Sequence, residues 1–115
     1  MCCVLIVDDD PAITRLLKIT MKSAGHTVAT AENGRNALRL MPVVQPDVVL
    51  LDLAMPVMDG STFLKEARKR GYDPNVVVLS ASARSDTRSD LAVNAVIPKP
   101  FDIDDVVDKV EELAN

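Results

Sequence analysis

Four short apolar runs in this chain of 115 residues each lead into a residue whose side chain can bind phosphate or a metal ion. The runs span residues 4–7, 48–51, 76–79 and 95–97, and the polar residues that follow them are Asp8, Asp9, Asp10, Asp52, Ser80 and Lys99. If the runs are parallel strands, their carboxyl ends meet at one edge of a sheet, which is where open α/β sheets bind ligands. The sequence therefore predicts an acidic site with one lysine and one hydroxyl group.

The aspartates predict a metal site. Asp8, Asp9 and Asp52 should lie close together if they end neighbouring strands, and like charges so placed resist joint ionisation unless a cation intervenes. A set of two or three carboxylates and a backbone carbonyl, with the other positions left to water or phosphate, suits Mg²⁺ better than Ca²⁺, which prefers a fuller oxygen cage. We therefore expect Mg²⁺, with Mn²⁺ as an alternative.

Asp10 and Asp52 are expected to play different roles. Asp10 directly precedes Pro11, so its side chain is expected to cap the helix that begins there. Asp52 follows the next core strand and has no helix to cap. An ionised carboxylate beside Mg²⁺ can attack phosphorus and form an acyl phosphate, so Asp52 is the predicted nucleophile.

Lys99 and Ser80 complete the predicted site. Lys99 lies between Pro98 and Pro100, which remove two backbone donors and stiffen the chain, and its ammonium group would neutralise phosphate as a point charge. The alternative for Lys99 is a solvated charge at a strand end. Ser80 at its strand end is as consistent with a turn residue as with a residue of the pocket, and both interpretations stay open on position alone.

Composition excludes several classes of partner. The 13 basic and 17 acidic residues give a net charge of -4, which disfavours direct binding to nucleic acid or to anionic lipid. No apolar stretch approaches the roughly 18 residues that span a membrane. The length fits a single domain, residues 1–115. Cys2 and Cys3 are adjacent in a presumed strand and should point to opposite faces, so we expect reduced thiols in a cytoplasmic protein.

Periodicity predicts strands that alternate with helices. The expected strands include Thr27–Ala31, Asp47–Leu51 and Asn75–Leu79, besides the runs at 4–7 and 95–97. The expected helices are Pro11–Ala24, a short one around Ala37 that ends before Pro42, one that opens at Gly60, a short or frayed one within 83–93, and a final one after Asp102. Such alternation implies a parallel sheet with helices on both faces. His26, in a loop with no second ligand near it in sequence, is expected at the surface.

Four blocks of sequence in order resemble the receiver domain of two-component response regulators: residues 7–11 (VDDDP), 51–60 (LDLAMPVMDG), 79–81 (LSA) and 99–101 (KPF). The resemblance implies a flavodoxin-like, doubly wound sheet of five parallel strands in the order 2-1-3-4-5. It also implies phosphorylation by a sensor histidine kinase or a phosphotransfer protein, and a downstream effector domain or protein that reads the result. Such a domain is not an ordinary enzyme, although it assists its own phosphotransfer and dephosphorylation.

The resemblance assigns roles to three aspartates and to one backbone carbonyl. Asp52 matches the phosphoacceptor, Asp9 a direct Mg²⁺ ligand, and Asp8 a second acidic residue that acts on the metal largely through water. The backbone carbonyl of Ala54 would complete the protein ligands.

Two further residues match the family and two depart from it. Ser80 matches the hydroxyl residue that turns toward the phosphoryl group, and Lys99 matches the lysine that pairs with it. Receivers usually place an aromatic residue three positions before that lysine, where this chain has Val96, so an aromatic relay cannot operate. The usual glycine before the fifth strand is replaced by Asn94, a residue able to adopt the left-handed conformation. The segment from Ser80 to Lys99 is also a few residues shorter than usual.

Two alternatives of other classes remain at this stage. Asp8 and Asp10 after an apolar strand resemble the acid pair of haloacid-dehalogenase-like phosphatases, although Ala12 stands where that family has threonine. The second alternative is a phosphorylation-silent, receiver-like interaction module, which Val96 suggests. Homodimerisation through the last helix and strand is also open.

Overall fold

Strands and helices alternate along the chain in this computed structural model, which describes residues 2–81 and 87–114. Within these residues the strands are β1 (Cys3–Val7), β2 (Thr27–Ala31), β3 (Val48–Leu51), β4 (Asn75–Leu79) and β5 (Ala95–Ile97). The helices are α1 (Pro11–Ser23), α2 (Gly34–Val44), α3 (Gly60–Lys69), α4 (Thr87–Leu91) and α5 (Ile103–Ala114).

The five strands form one parallel sheet in the order β2-β1-β3-β4-β5. The fold prediction is therefore confirmed, including the strand order that the resemblance implied. Val7 pairs with Leu51, and Leu51 pairs with Val78, so the carboxyl ends of the central strands lie level. Because β2 and β3 flank β1 on opposite sides, the strand order reverses between β1 and β3, which is where ligands bind in such sheets.

Both faces of the sheet are covered. Successive strand residues point to opposite faces, so Leu5 and Val7 pack in one core cluster with α2 and α3, whereas Val4 and Ile6 pack in the other with α1 and α5. This explains why the central strands are apolar at every position. The two adjacent thiols point to opposite faces of the sheet, as expected. Cys2 packs in the second cluster, and the Cys3 thiol contacts the Val44 carbonyl oxygen at the end of α2.

Helix α1 matches its predicted bounds to within one residue. The Asp10 side chain caps it by accepting hydrogen bonds from the backbone N–H groups of Ala12, at 2.9 Å, and Ile13, at 3.4 Å. Pro11 occupies the first turn, where its missing N–H has no intrahelical partner to lose. The capping role predicted for Asp10 is confirmed.

Helix α2 corrects one prediction, because it continues through Pro42 to Val44. Pro42 lacks the N–H that would bond to the Leu38 carbonyl. The helix continues because Leu38 and Met41, in the turn before Pro42, are buried and because the Gln45 N–H donates to the Met41 carbonyl oxygen at 2.9 Å. Tertiary packing therefore outweighs the local preference of proline.

The turn before β5 also differs from expectation. The left-handed residue is Ala92, with φ 52°, and not Asn94. Asn94 instead extends the sheet, because its side-chain Oδ1 accepts from the Val76 N–H at 2.8 Å while its own N–H donates to the Val76 carbonyl oxygen at 3.0 Å. Helix α4 is described over Thr87–Leu91, and residues 83–86 of the short or frayed helix predicted within 83–93 lie outside the described residues, so its length stays a prediction.

The expectation of a surface position for His26 is wrong: the residue is 6% exposed. Gly25, with φ 95°, turns the chain after α1, so that His26 lies beside the start of β1. The Cys2 N–H donates to His26 Nδ1 at 3.2 Å, and His26 Nε2 lies 2.8 Å from Glu111 Oε1. Since Nδ1 accepts, Nε2 carries the hydrogen that Glu111 receives.

The loop between β3 and α3 contains a strained residue. Val57 has φ 70°, and the Met58 N–H donates to the Pro56 carbonyl oxygen at 2.7 Å, which defines a γ-turn centred on Val57. A β-branched residue in this region is a conformational outlier. The Val57 side chain is 68% exposed, so no packing compensates for the strain.

Among the residues that the structure describes, no helix has the length and apolar character needed to cross a lipid bilayer.

Replacement of His26 by alanine should lower the free energy of unfolding by about 1–3 kcal/mol, because it leaves the Cys2 N–H buried without an acceptor. Ser23→Ala, at an exposed position one turn away, should change it by less than about 0.5 kcal/mol. Urea denaturation measures both values, and equal effects of the two substitutions would contradict the buried placement of His26.

Replacement of Val57 by glycine should raise the free energy of unfolding by about 1 kcal/mol, because glycine adopts positive φ without strain. The matched control is Val43→Gly, which removes another exposed valine, from α2, and should lower stability by about 0.5 kcal/mol. Thermal denaturation of the two variants should therefore give shifts of opposite sign. A loss of stability in both would show that Val57 is not strained.

Candidate functional site

The acidic residues are fixed by the sheet itself. The Asp52 N–H donates to the Val7 carbonyl oxygen at 2.9 Å, and the Asp8 N–H donates to that of Ala31 at 3.1 Å. Both residues therefore continue the hydrogen-bond ladder one step beyond the strands, which holds their side chains side by side. Both are buried, whereas Asp9, which follows β1 by two residues, is exposed.

Three carboxylates converge at this edge. Asp8, Asp9 and Asp52 each offer one oxygen atom, and these three atoms lie within 4.8 Å of one another. Oxygen ligands so grouped suit a hard divalent cation, and the exposed Asp9 leaves one side open to solvent. The donor set thus fits the ion that the sequence predicts.

Lys99 supplies the cation of the cluster. Its Nζ lies 2.7 Å from Asp8 Oδ2 and 3.4 Å from Asp52 Oδ2, and its side chain is largely buried. The loop after β5 brings it there, and the Lys99 N–H donates weakly to the Ser80 carbonyl oxygen at 3.4 Å. The alternative of a solvated lysine at a strand end is therefore wrong.

Burial and charge act against each other in this pair. Burial raises the pKa of the Asp8 carboxyl, and the hydrogen bonds from Lys99 and from the Asp10 N–H offset only part of that rise. Burial alone would lower the pKa of Lys99, but the hydrogen bond and charge of Asp8, with those of Asp52, outweigh it and raise the pKa. Lys99 is therefore a firm positive charge at neutral pH.

Ser80 lies at the same edge, buried directly after β4. Since Leu51 pairs with Val78, Ser80 is one residue further along its strand than the position opposite Asp52. Ser80 also accepts the backbone hydrogen bond of Lys99 described above. The structure thus places Ser80 among the predicted site residues rather than in an exposed turn.

Ala54 lies in the loop between β3 and α3, which borders the acidic cluster. Its N–H donates to Asp52 Oδ1 at 3.3 Å, and the residue is exposed. A cleft of about 510 Å³ opens beside Asp9, which is large enough for a small phosphorylated group. Its lining consists of Asp9, Leu53, Ala54, Met55, Pro56 and Asp59.

Two glycines hold this loop, and the contact made by the first could not be predicted from local sequence. The Gly34 N–H, at the start of α2, donates to the Met58 carbonyl oxygen at 2.9 Å, and a Cβ atom at Gly34 would lie 2.7 Å from that oxygen. A Cβ atom at Gly60 would lie 2.2 Å from the Asp52 carbonyl oxygen. Both positions therefore require glycine because other backbone approaches too closely for any side chain.

The comparisons with known proteins agree on one family. A family model described as the response regulator receiver domain matches residues 4–111. The DNA-binding transcriptional regulator NtrC of Escherichia coli (strain K12) is 41% identical to this chain. The alignment covers 94% of this chain and 24% of NtrC. RpaA of Synechocystis, a DNA-binding dual master transcriptional regulator, is 32% identical over 96% of this chain and 48% of its own length. The chain thus spans about a quarter to a half of these relatives.

Solved structures give the same result. The receiver domain of the Francisella response regulator 1452 superimposes with a TM-score of 0.90 at 30% identity, covering 98% of this chain and 96% of that one. TrrA of Thermotoga maritima, a response regulator solved in complex with Mg(2+)-BeF, gives a TM-score of 0.84 at 37% identity, covering 98% and 99% of the two chains. The sequence resemblance, the fold and the family model all agree, and this chain belongs to the receiver-domain family of two-component response regulators.

Proposed function

We propose that this domain accepts a phosphoryl group on Asp52 in a Mg²⁺-dependent reaction and so switches a partner-binding surface. The observation that carries the proposal is the convergence of the Asp8, Asp9 and Asp52 carboxylates with the Lys99 ammonium group at the edge where the strand order reverses. A purely structural site would not need three carboxylates that repel one another.

The residues proposed to hold Mg²⁺ are Asp8, Asp9 and Asp52, with the backbone carbonyl of Ala54. The ion would neutralise the carboxylates and the negative charge of an incoming phosphoryl group. Mn²⁺ prefers the same oxygen ligands and is the alternative ion.

Asp52 is the proposed nucleophile. One of its carboxylate oxygens forms a bond to phosphorus while the bond from phosphorus to the donor atom breaks, and the donor, a phosphohistidine of the kinase or phosphotransfer protein, keeps the electron pair. The hydrogen bond from the Asp52 N–H to the Val7 carbonyl oxygen fixes the backbone of Asp52, so that little orientational freedom is lost when it reacts.

Lys99 and Ser80 are proposed to receive the product. Once Asp52 carries a phosphoryl group, Lys99 exchanges its contact with the Asp52 carboxylate for one with phosphoryl oxygen, as a point charge. The Ser80 hydroxyl donates to the same group. Because phosphorylation adds a charge of about -1.5 to -2 and three strong acceptors, Ser80 at the end of β4 is drawn toward the phosphoryl group.

Partners and context follow from the family. We propose a sensor histidine kinase or a phosphotransfer protein upstream, an effector domain or protein downstream, a cytoplasmic location, and a single receiver domain over residues 1–115. With a net charge of -4, the domain itself is not expected to read nucleic acid. Any such reading would belong to the effector.

The phosphatase alternative has no support in the geometry. It needs the Asp10 carboxylate as the acid partner of Asp8, but that carboxylate accepts hydrogen bonds from the first turn of α1. The silent-module alternative is opposed by the close approach of Lys99 to Asp8 and Asp52, and the labelling experiment below decides it.

Incubation with Mg²⁺ and ³²P-labelled acetyl phosphate should label the wild-type protein, and Asp52→Asn should abolish the label because an amide is not a nucleophile at this site. The matched control is Asp10→Asn, which retains a good capping residue and should be labelled like the wild type. Chelation of the metal should prevent labelling. Equal labelling of Asp52→Asn and the wild type, or none in the wild type, would overturn the proposal.

Mg²⁺ should also stabilise the fold without any phosphodonor. At about 100 times its Kd, Mg²⁺ should raise the free energy of unfolding by about 2.7 kcal/mol through mass action, and Mn²⁺ should act similarly. Asp9→Asn should remove most of this gain, whereas Asp10→Asn should keep it. Chemical denaturation at several metal concentrations gives the values, and an Asp9→Asn response equal to that of the wild type would argue against Asp9 as a ligand.

A further inference from the structure

Helix α4 depends on other parts of the protein for its position. Its described residues, Thr87–Leu91, make up little more than one turn, and contacts with α3 and β4 fix its C-terminal end. Its C-terminal end is closed by two hydrogen bonds, from the Ala92 N–H to the Ser89 carbonyl oxygen at 3.2 Å and from the Val93 N–H to that of Arg88 at 3.1 Å. This is the Schellman arrangement, which requires a left-handed residue at Ala92.

Alanine is poorly suited to that conformation, and Arg68 compensates for it. From the last turn of α3, the Arg68 guanidinium donates through Nη1 to the Leu91 carbonyl oxygen and through Nη2 to that of Ala92, the latter at 2.7 Å. These are carbonyls at a helix end, which have no intrahelical donor, and a cation there also suits the helix dipole. We call these two hydrogen bonds the Arg68 clamp.

The turn beyond the clamp is fixed to the sheet as well. Arg88 Nε donates to the Asn94 carbonyl oxygen at 3.2 Å, and Asn94 is bonded to Val76 of β4 through both its backbone and its side chain. Hydrogen bonds therefore connect the C-terminal end of α4 to α3 and, through Asn94, to β4. A displacement of the C-terminal end of α4 relative to α3 would strain or break the Arg68 clamp.

The clamp is present together with the pairing of Lys99 to Asp8 and Asp52. A phosphoryl group on Asp52 would compete for Lys99, so the clamp is one of the contacts on which such a change can act. Val96, on β5 beside this turn, is too small to act as an aromatic switch. A restraint at the end of α4 can therefore set how readily this surface rearranges.

We propose that Arg68 is a positioning residue that restrains α4 in the unphosphorylated arrangement and so opposes activation. The inference rests on the proposed function, since it assigns a regulatory role to a residue remote from Asp52. By linkage, a contact made in only one of two arrangements weakens every ligand that favours the other. Removal of the clamp should therefore strengthen binding of a phosphoryl mimic.

The test compares Arg68→Ala, Arg68→Lys and the control Arg70→Ala. Arg70 is exposed, and its side chain makes no hydrogen bond or ion pair with the residues that the structure describes. Amide hydrogen exchange of Val93 and Asn94 should accelerate by about tenfold or more in Arg68→Ala, because hydrogen bonds from a charged donor contribute strongly to local stability. Lysine cannot reproduce the two-pronged contact, so Arg68→Lys should lie between Arg68→Ala and the wild type.

The second readout is the Kd for beryllofluoride in the presence of Mg²⁺. Arg68→Ala should lower this Kd by about three- to tenfold, and Arg70→Ala should leave it unchanged. Unchanged exchange in Arg68→Ala would show that the clamp does not hold the turn, and faster exchange with an unchanged or higher Kd would show that the clamp does not oppose activation. Failure of the wild type to bind beryllofluoride would instead contradict the proposed function, and the exchange data would still decide whether the clamp exists.

Discussion

The electrostatic conflict among three carboxylates at one edge of the sheet is the constraint on which the rest of the structure depends. Asp8, Asp9 and Asp52 present oxygen atoms within 4.8 Å of one another, and two of these residues are buried. Such a group is stable only with a positive charge among its members. Lys99 provides one such charge, and a divalent cation is proposed to provide the rest. With Lys99 and a bound divalent cation in place, the site can also accept the negative charge of a phosphoryl group.

The fold keeps this conflict from pushing the carboxylates apart. Central strands buried on both faces fix the backbone at their ends, and the ladder continues through Asp8 and Asp52. The loop after β3 is held against the site by close backbone contacts at Gly34 and Gly60, and it tolerates a left-handed valine at position 57. Among the described residues, three non-glycine residues adopt positive φ: Gln45 at the end of α2, Val57 beside the site and Ala92 after α4. The sheet itself is regular.

Local patterns were sufficient for the strands and for the cap at Asp10, because each depends on neighbours in sequence, and the alternation of strands with helices predicted the shared edge. The order of the strands came from the family resemblance. Local patterns failed where the deciding partner is distant. His26 is buried by contacts with residues 24 and 85 positions away, and α2 passes Pro42 because buried neighbours outweigh a missing N–H. The role of Arg68 could not be predicted either, since its acceptors are backbone carbonyls more than 20 residues away, which leave no trace in composition.

The position of the acyl phosphate is the most direct test of the account. After reaction with acetyl phosphate and Mg²⁺, borohydride reduces an aspartyl phosphate to homoserine, and peptide mass spectrometry then locates the converted residue. Homoserine should appear at position 52 and at no other aspartate. Conversion of Asp8 or Asp9 instead would show that the wrong carboxylate of the cluster has been taken as the nucleophile, and the proposed arrangement of metal, lysine and hydroxyl around Asp52 would have to be abandoned.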